Sequence, residues 1–249
     1  MIHRSLVAAG LSWALAIGAW PVPARAVIPS APKIAEAVAE ANKVAGRSEP
    51  VLLEVTLTIG DDPPAATGVL ATHPTGLARL ELRSRLGFVE RHLLQGNAHS
   101  ASRDGVMLDD PRRFLPPVFL LQATSGAALR VALVSFGIDS EEAVLGREGD
   151  FDCYVFGGRL PRSLEREDQR LPSMWVDLES YEVVRIDGYD GVRYRFGPSQ
   201  EFEGIRVPSW IAIEARDEPP ARLDILRAVP ANAPAAAFGM DWLGAPVAP

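Results

Sequence analysis

Few residues in this sequence have types and spacings that could do chemistry. Ser30-Ala31-Pro32-Lys33 matches S-x-x-K, the pattern that sets an amine one helical turn from a serine hydroxyl in acyl-transfer enzymes. Neither S-D-N nor K-T-G accompanies it, and a helix cap accounts for Ser30. His92 and His99 flank Gly96-Asn97, and across a hairpin turned there two imidazoles could face each other and hold a metal. Glu90 would join them only if the strand register put it beside His92, so both histidines are expected at the surface with no metal. Asp61-Asp62 and Asp109-Asp110 could pair as acid and base, but each sits in turn material and reads as a solvated turn. No G-x-S-x-G elbow, phosphate-cradling G-x-x-x-x-G-K or dinucleotide fingerprint occurs, and Gly157-Gly158-Arg159 reads as a strand end. Cys153 is the one cysteine, has no partner within its own chain, and reads as a small buried hydrophobe. The expectation is a protein with no catalytic residue, no metal and no cofactor, and not an enzyme.

The elements that would position these groups change character along the chain. Ile34, Val38, Ala41 and Ala45 recur at helical spacing after Ser30 and Pro32, with Gly46 as the stop. From Val51 the period becomes two: Val51, Leu53, Val55, Leu57 and Ile59 alternate with Glu54, Thr56 and Thr58, which makes a strand with one dry face. Strand-like runs follow at Thr67–Thr72, Leu77–Arg83 and Phe88–Leu94, and weakly around His99 and Val106, separated by turn signals such as Asp61-Asp62-Pro63-Pro64 and Asp104-Gly105. This is the pattern of an antiparallel meander.

After Pro116-Pro117, Val118–Ala123 and Ala127–Phe136 read as two short apolar helices split by Thr124-Ser125-Gly126, with Arg130 their one charge. Helices this apolar must cover a dry surface, here the open face or mouth of the sheet. Strands are expected again at Glu142–Leu145, Cys153–Phe156, Met174–Asp177, Tyr181–Ile186, Val192–Phe196, Ile205–Arg216 and Arg222–Val229. Pro161–Pro172 reads as a charged loop, and the Pro- and Ala-rich end after Pro230 as an irregular surface segment. Arg193 and Arg195 alternate with Val192, Tyr194 and Phe196, and read as a solvated strand face in preference to a dock for an anionic headgroup.

The chain opens with a basic start (His3, Arg4), an apolar run from Leu6 to Trp20 and Ala24-Arg25-Ala26, the signature of an export leader cut after Ala26. The domain division expected is therefore 1–26 signal peptide and 27–249 one β domain. No cysteine follows the cut, so an acylated anchor is not expected. The full sequence carries a formal charge of −7. Loss of Arg4 and Arg25 with the leader makes the remainder more acidic still, a sign that disfavours nucleic acid and anionic membrane.

In this order of elements the sequence resembles the outer-membrane lipoprotein carrier (LolA-like) superfamily. The resemblance rests on Gly68-Val69-Leu70 leading to Pro74 and on Arg103-Asp104-Gly105 in a later hairpin. It rests more on Met174-Trp175-Val176-Asp177 before Tyr181-Glu182-Val183-Val184-Arg185-Ile186, together with Phe202-Glu203-Gly204-Ile205-Arg206-Val207-Pro208. It implies a mainly β (α+β) fold: a curved antiparallel half-barrel sheet with an N-terminal helix and a short helical lid on the concave face. It also implies a monomeric periplasmic carrier that holds an acyl chain of a lipid or lipoprotein between sheet and lid, receiving it from an inner-membrane transporter and passing it to an outer-membrane acceptor. The residues then expected around the ligand are Leu53, Val55, Leu57, Leu70, Leu80, Leu82, Phe88, Phe119, Leu120, Leu129, Leu133 and Phe136. The carriers hold an arginine directly before the proline that follows the second strand, and it reaches into the lid; here that place is taken by His73, expected as a polar gate. An envelope sensor or accessory interaction module with no lipid cargo is the alternative reading. It differs in needing no cavity.

Overall fold

The computed structural model describes residues 28–42, 49–158 and 171–246. The leader with its cleavage site, the helix end at Ala45 and Gly46, and all of the charged loop but Leu171 and Pro172 lie outside the described residues. Among those described, no helix is long and apolar enough to cross a membrane.

The first half is a helix followed by a meander. Helix α1 (Ala31–Ala41) buries Ile34, Ala35 and Val38 on one side. Its start uses the carbonyl of Ser30, which accepts from the backbone N–H of Lys33 and Ile34, while the Ser30 hydroxyl makes no cap bond. Its end is fixed by Asn42, whose amide donates to the carbonyls of Val38 and Tyr181 and accepts from the N–H of Val183. Strands β1 (Val51–Ile59), β2 (Ala66–His73), β3 (Leu77–Ser84), β4 (Val89–Gln95), β5 (Ala98–Arg103) and β6 (Val106–Met107) then pair in succession, all antiparallel. Asp104 and Gly105, with φ of 50° and 82°, turn the last hairpin in the left-handed region that tight hairpins require. A Cβ at Gly68 would lie 2.2 Å from the Glu81 carbonyl oxygen, so the close approach of β2 to β3 admits no side chain there.

The second half enters from the opposite edge. Strands β7 (Ala143–Glu148), β8 (Phe151–Gly157), β9 (Ser173–Asp177), β10 (Val183–Asp187) and β11 (Arg193–Phe196) form a second meander. Strands β12 (Ser199–Phe202) and β13 (Ile205–Pro208) make a separate hairpin, and β14 (Trp210–Glu214) and β15 (Ala221–Pro230) return to the main sheet. Because β15 pairs with β1, the two meanders fuse into one open 13-stranded sheet in the order β6-β5-β4-β3-β2-β1-β15-β14-β11-β10-β9-β8-β7. The run expected as one strand from Ile205 to Arg216 is thus two, divided at Ser209, and β12 was not foreseen. Its Ser-Gln-Glu sequence carries no dry face.

The chain must cross from the β6 edge to the β7 edge, and it crosses the concave face. Residues 108–117 form a strap, Val118–Gln122 a 3-10 turn, and α2 (Gly126–Phe136) the helix of the cover. Ser125 caps α2 by accepting from the N–H of Ala128, and Gly137 ends it with φ 90°. Gly126 lies so close to α1 that a Cβ would sit 2.6 Å from the Glu36 nitrogen, and its N–H donates to Glu36 Oε2 at 2.6 Å. The main core joins the inward residues of both meanders to one side of α1, the 3-10 turn and one side of α2. Fold class, curvature and the concave position of the helices are as expected from the sequence.

The end of the chain corrects the sequence reading. It does not run irregularly over the surface: Ala235–Phe238 and α3 (Asp241–Gly244) fold back over the outer face of the first meander. Phe238 and Leu243 are fully buried there against Ala71 and Leu93. Arg79, Arg91, Gln95 and Ser102 donate to the carbonyls of Ala237, Trp242, Phe238 and Leu243. The guanidinium groups of Arg79 and Arg91 also lie over the Trp242 ring. Burial of each large apolar side chain contributes about 1.5–3 kcal/mol. The carbonyls of this cover thus find their donors in side chains on the outer face of the first meander.

Candidate functional site

One end of the concave face is not filled. Leu57 of β1, Ala66 of β2 and Leu82 of β3 form its floor, Phe88 one wall, and Leu108 and Phe114 of the strap its roof, around a cavity of 380 Å³. The sequence helps make this space through a short side chain: Leu57 pairs across the ladder with Ala66, so one position on the dry face carries only a methyl group. Glu90, Arg103, Asp110 and Arg112 stand around it. The two arginines are committed. Arg103 reaches Glu90 at 2.9 Å and lies over the Phe88 ring, and Arg112 reaches Glu218 at 2.5 Å and lies over the Phe114 ring. The volume falls within the range of small-molecule sites.

Of the expected ligand residues, Leu57, Leu82 and Phe88 line this cavity. The other nine, Leu53, Val55, Leu70, Leu80, Phe119, Leu120, Leu129, Leu133 and Phe136, are buried in the core between sheet and cover, with Phe119 edge-on to Phe136 at 6.1 Å. Ala66, Leu108 and Phe114 were missed. Alternation marks which residues face inward, but not where inward residues are too small to meet the cover. A second cavity of 520 Å³ lies by the second meander, walled by Leu121, Phe151, Phe196 and Trp210. None of the residues expected around the ligand lines it, whereas three of them line the first cavity.

Beside the first cavity the concave face turns polar. Glu90 and His92 share an inward face of β4, and the His99 ring of β5 stacks on that of His92 with centroids 5.3 Å apart. His92 Nδ1 and His99 Nε2 are 3.2 Å apart, so one carries the proton and the other the lone pair. Glu90 Oε1 is 2.9 Å from His92 Nε2 but off the line of a directed hydrogen bond, so buried Nε2 is left without a hydrogen-bond partner. The expectation of two surface histidines is therefore corrected: His92 has no exposed surface. The reason is that β4 is covered on both sides, by the core and by the chain's end, so its polar residues are not a wet face. Among the described residues, no group of three or more His, Cys, Asp or Glu side chains could hold a metal.

The remaining candidates are placed plainly. Ser30 and Lys33 are exposed, as are Asp61, Asp62, Asp109 and Asp110. Cys153 is buried, and burial pushes its thiol up to about 11. Arg193 and Arg195 are not a bare face: Arg193 pairs with Asp187 at 2.9 Å, and Arg195 with Glu148 and Glu214 at 2.8 and 2.6 Å. Arg185 bridges Glu148 and Asp187 and lies over Trp175, so the cluster is internally neutralised.

No protein-family profile matches this sequence, and no curated protein matches it. Solved structures do. A LolA superfamily protein from Nitrosomonas europaea superposes with a TM-score of 0.51 at 13% identity, over 87% of this chain and 100% of its own. A domain named for outer membrane lipoprotein sorting from Vibrio parahaemolyticus gives 0.52 at 8% identity, over 87% and 98%. A DUF1329 family protein from Desulfovibrio piger gives 0.50 at 12%, over 86% and 100%. The fold is LolA-like.

Within this LolA-like frame His73, expected as a polar gate, does not meet the cover. His73 has the parity of the outer face and stands edge-on to Phe238 at 5.7 Å, its Nδ1 at 2.7 Å from the Thr75 hydroxyl. The β2 side chain that meets the cover is Thr72, fully buried, whose hydroxyl donates to Gln122 Oε1 at 2.8 Å.

Proposed function

We propose that the chain is an exported, non-enzymatic carrier of the cell envelope that holds an acyl chain in the cavity between strap and sheet. The observation that carries this reading is the cavity itself, apolar in floor and roof and bordered by the small side chain of Ala66. Acyl binding needs no special polar group, which fits a sequence without a sharp motif. At about 30 Å³ of liquid volume per water-sized group, 380 Å³ accepts roughly a dozen methylenes. At about 0.8 kcal/mol for each, the gross gain is near ~10 kcal/mol. Ordering costs of about 4 kcal/mol or more leave an affinity between the millimolar and micromolar marks. The leader supports a periplasmic location, and the likeness to lipoprotein-sorting structures supports lipid or lipoprotein acyl chains as cargo exchanged between membrane partners. Titration with a fluorescent fatty acid tests the reading. Saturable binding, displaced by an unlabelled single-chain lipid, is expected; absence of saturation favours an interaction module without cargo.

A further inference from the structure

The strap that roofs the cavity rests on the histidine pair. Phe114 packs edge-on against the His92 ring at 5.7 Å, and the adjacent Arg113 reaches across to Asp190 at 3.0 Å. His99 borders a small space of 70 Å³ shared with Arg113, Asp190 and Tyr194, and His99 Nδ1 is buried there without a partner. The charges around the pair are therefore Glu90 on β4, Arg103 on β5, Arg113 on the strap and Asp190 between β10 and β11; Tyr194 of β11 is neutral, its ionisation opposed by burial. Both carboxylates already serve an arginine. In the neutral pair each ring carries one N–H, and one of these lies between His92 Nδ1 and His99 Nε2. A further proton on His99 would make a buried cation facing Arg113, with no acceptor for its Nδ1–H.

We propose that the His92–His99 pair is an acid-operated release for the strap: a proton taken up by His99 drives residues 108–117 off the β4–β5 edge and opens the cavity beneath. Burial first, then the neighbouring His92 and the Arg113 guanidinium, hold His99 down to about 3 in the closed form. In the opened form the ring meets water and returns toward its ordinary value near 6.5. The open form therefore binds the extra proton throughout that window. The ratio of open to closed rises about tenfold for each pH unit below roughly 6.5, or about 30-fold between pH 7.5 and pH 5. The opening stands by itself; only its use, release of the occupant, rests on the carrier reading.

Hydrogen exchange read by mass spectrometry tests this on the ligand-free protein. The measured quantity is the exchange rate of the strap peptide divided by that of a β1 peptide, which cancels the intrinsic pH dependence of amide exchange. This ratio should rise about 30-fold from pH 7.5 to pH 5 in the wild type and stay flat in His99→Gln, which cannot charge. An equal rise in His99→Gln, or a flat wild-type ratio, overturns the proposal. If His99→Gln does not fold, the His99 ring resonance of the wild type decides. The proposal expects the closed protein to keep a neutral His99 signal well below pH 6 while strap exchange accelerates. Ordinary titration near 6.5 with an unchanged strap overturns it. Fatty-acid binding at pH 7.5 is measured separately, so failure of the switch and failure of the carrier reading give different results.

Discussion

Replacing Ala66 with leucine should fill part of the cavity without straining the core. Ala66 is buried, faces inward from β2, and borders open space in place of packed atoms. The substitution adds three carbons. If each displaces one ligand methylene at about 0.8 kcal/mol, binding weakens by about 2.4 kcal/mol, roughly fifty-fold. The same carbons leave water in the folded protein, so stability should hold or rise; in a solidly packed site they would cost about 1–3 kcal/mol. Fluorescent fatty-acid titration paired with urea unfolding reads both quantities. Wild-type affinity retained in Ala66→Leu, or a clear loss of stability, would refute the reasoning, because either means that the space beside Ala66 is not where the acyl chain lies.

Phe119→Ala, at the centre of the cover, should lose about 3–5 kcal/mol in chemical denaturation, since the ring is fully buried against the core. Thr72→Val should cost about 1–3 kcal/mol by leaving Gln122 Oε1 buried without its donor, and a loss well under 1 kcal/mol would show that water replaces the hydroxyl. Arg91→Ala should cost about 1.5–3 kcal/mol and raise exchange in the peptide covering α3, because it removes donors to Glu81 and to the Trp242 carbonyl. Burial opposes ionisation of Asp187, but hydrogen bonds and charges from Arg185 and Arg193 outweigh it and hold the carboxyl below its usual value. Its contribution is then full above the ordinary carboxylate pKa near 4 and is lost as pH falls through the lower folded value. The stability gap between wild type and Asp187→Asn should be about 3–5 kcal/mol at pH 7 and narrow below pH ~4; a gap independent of pH would contradict the assignment.

What the sequence made legible was set by periodicity. Val51–Ile59 alternates cleanly because one face meets the core, and the apolar stretch from Val118 to Phe136 had to lie on something dry. The histidines illustrate the limit. His92 reads as a surface residue, yet every position from Val89 to Leu94 is buried, because the chain's end covers the other side of β4. That cover was itself illegible: Phe238, Trp242 and Leu243 are scattered among alanines and prolines, and the arginines that hold them act through main-chain carbonyls, which no side-chain pattern reveals. The cavity escaped for the opposite reason. It is a shortage of atoms at Ala66, and a small residue in a strand looks like weak strand signal until the facing surface is known.

The most direct test of the carrier account is native mass spectrometry of the protein recovered from the periplasm of cells that export it, followed by lipid extraction. One acyl-bearing molecule per chain is expected, lost when Ala66 becomes leucine while the fold persists. A protein that flies without lipid in both forms, and takes up none from added fatty acid, would contradict the account and leave an interaction module in its place.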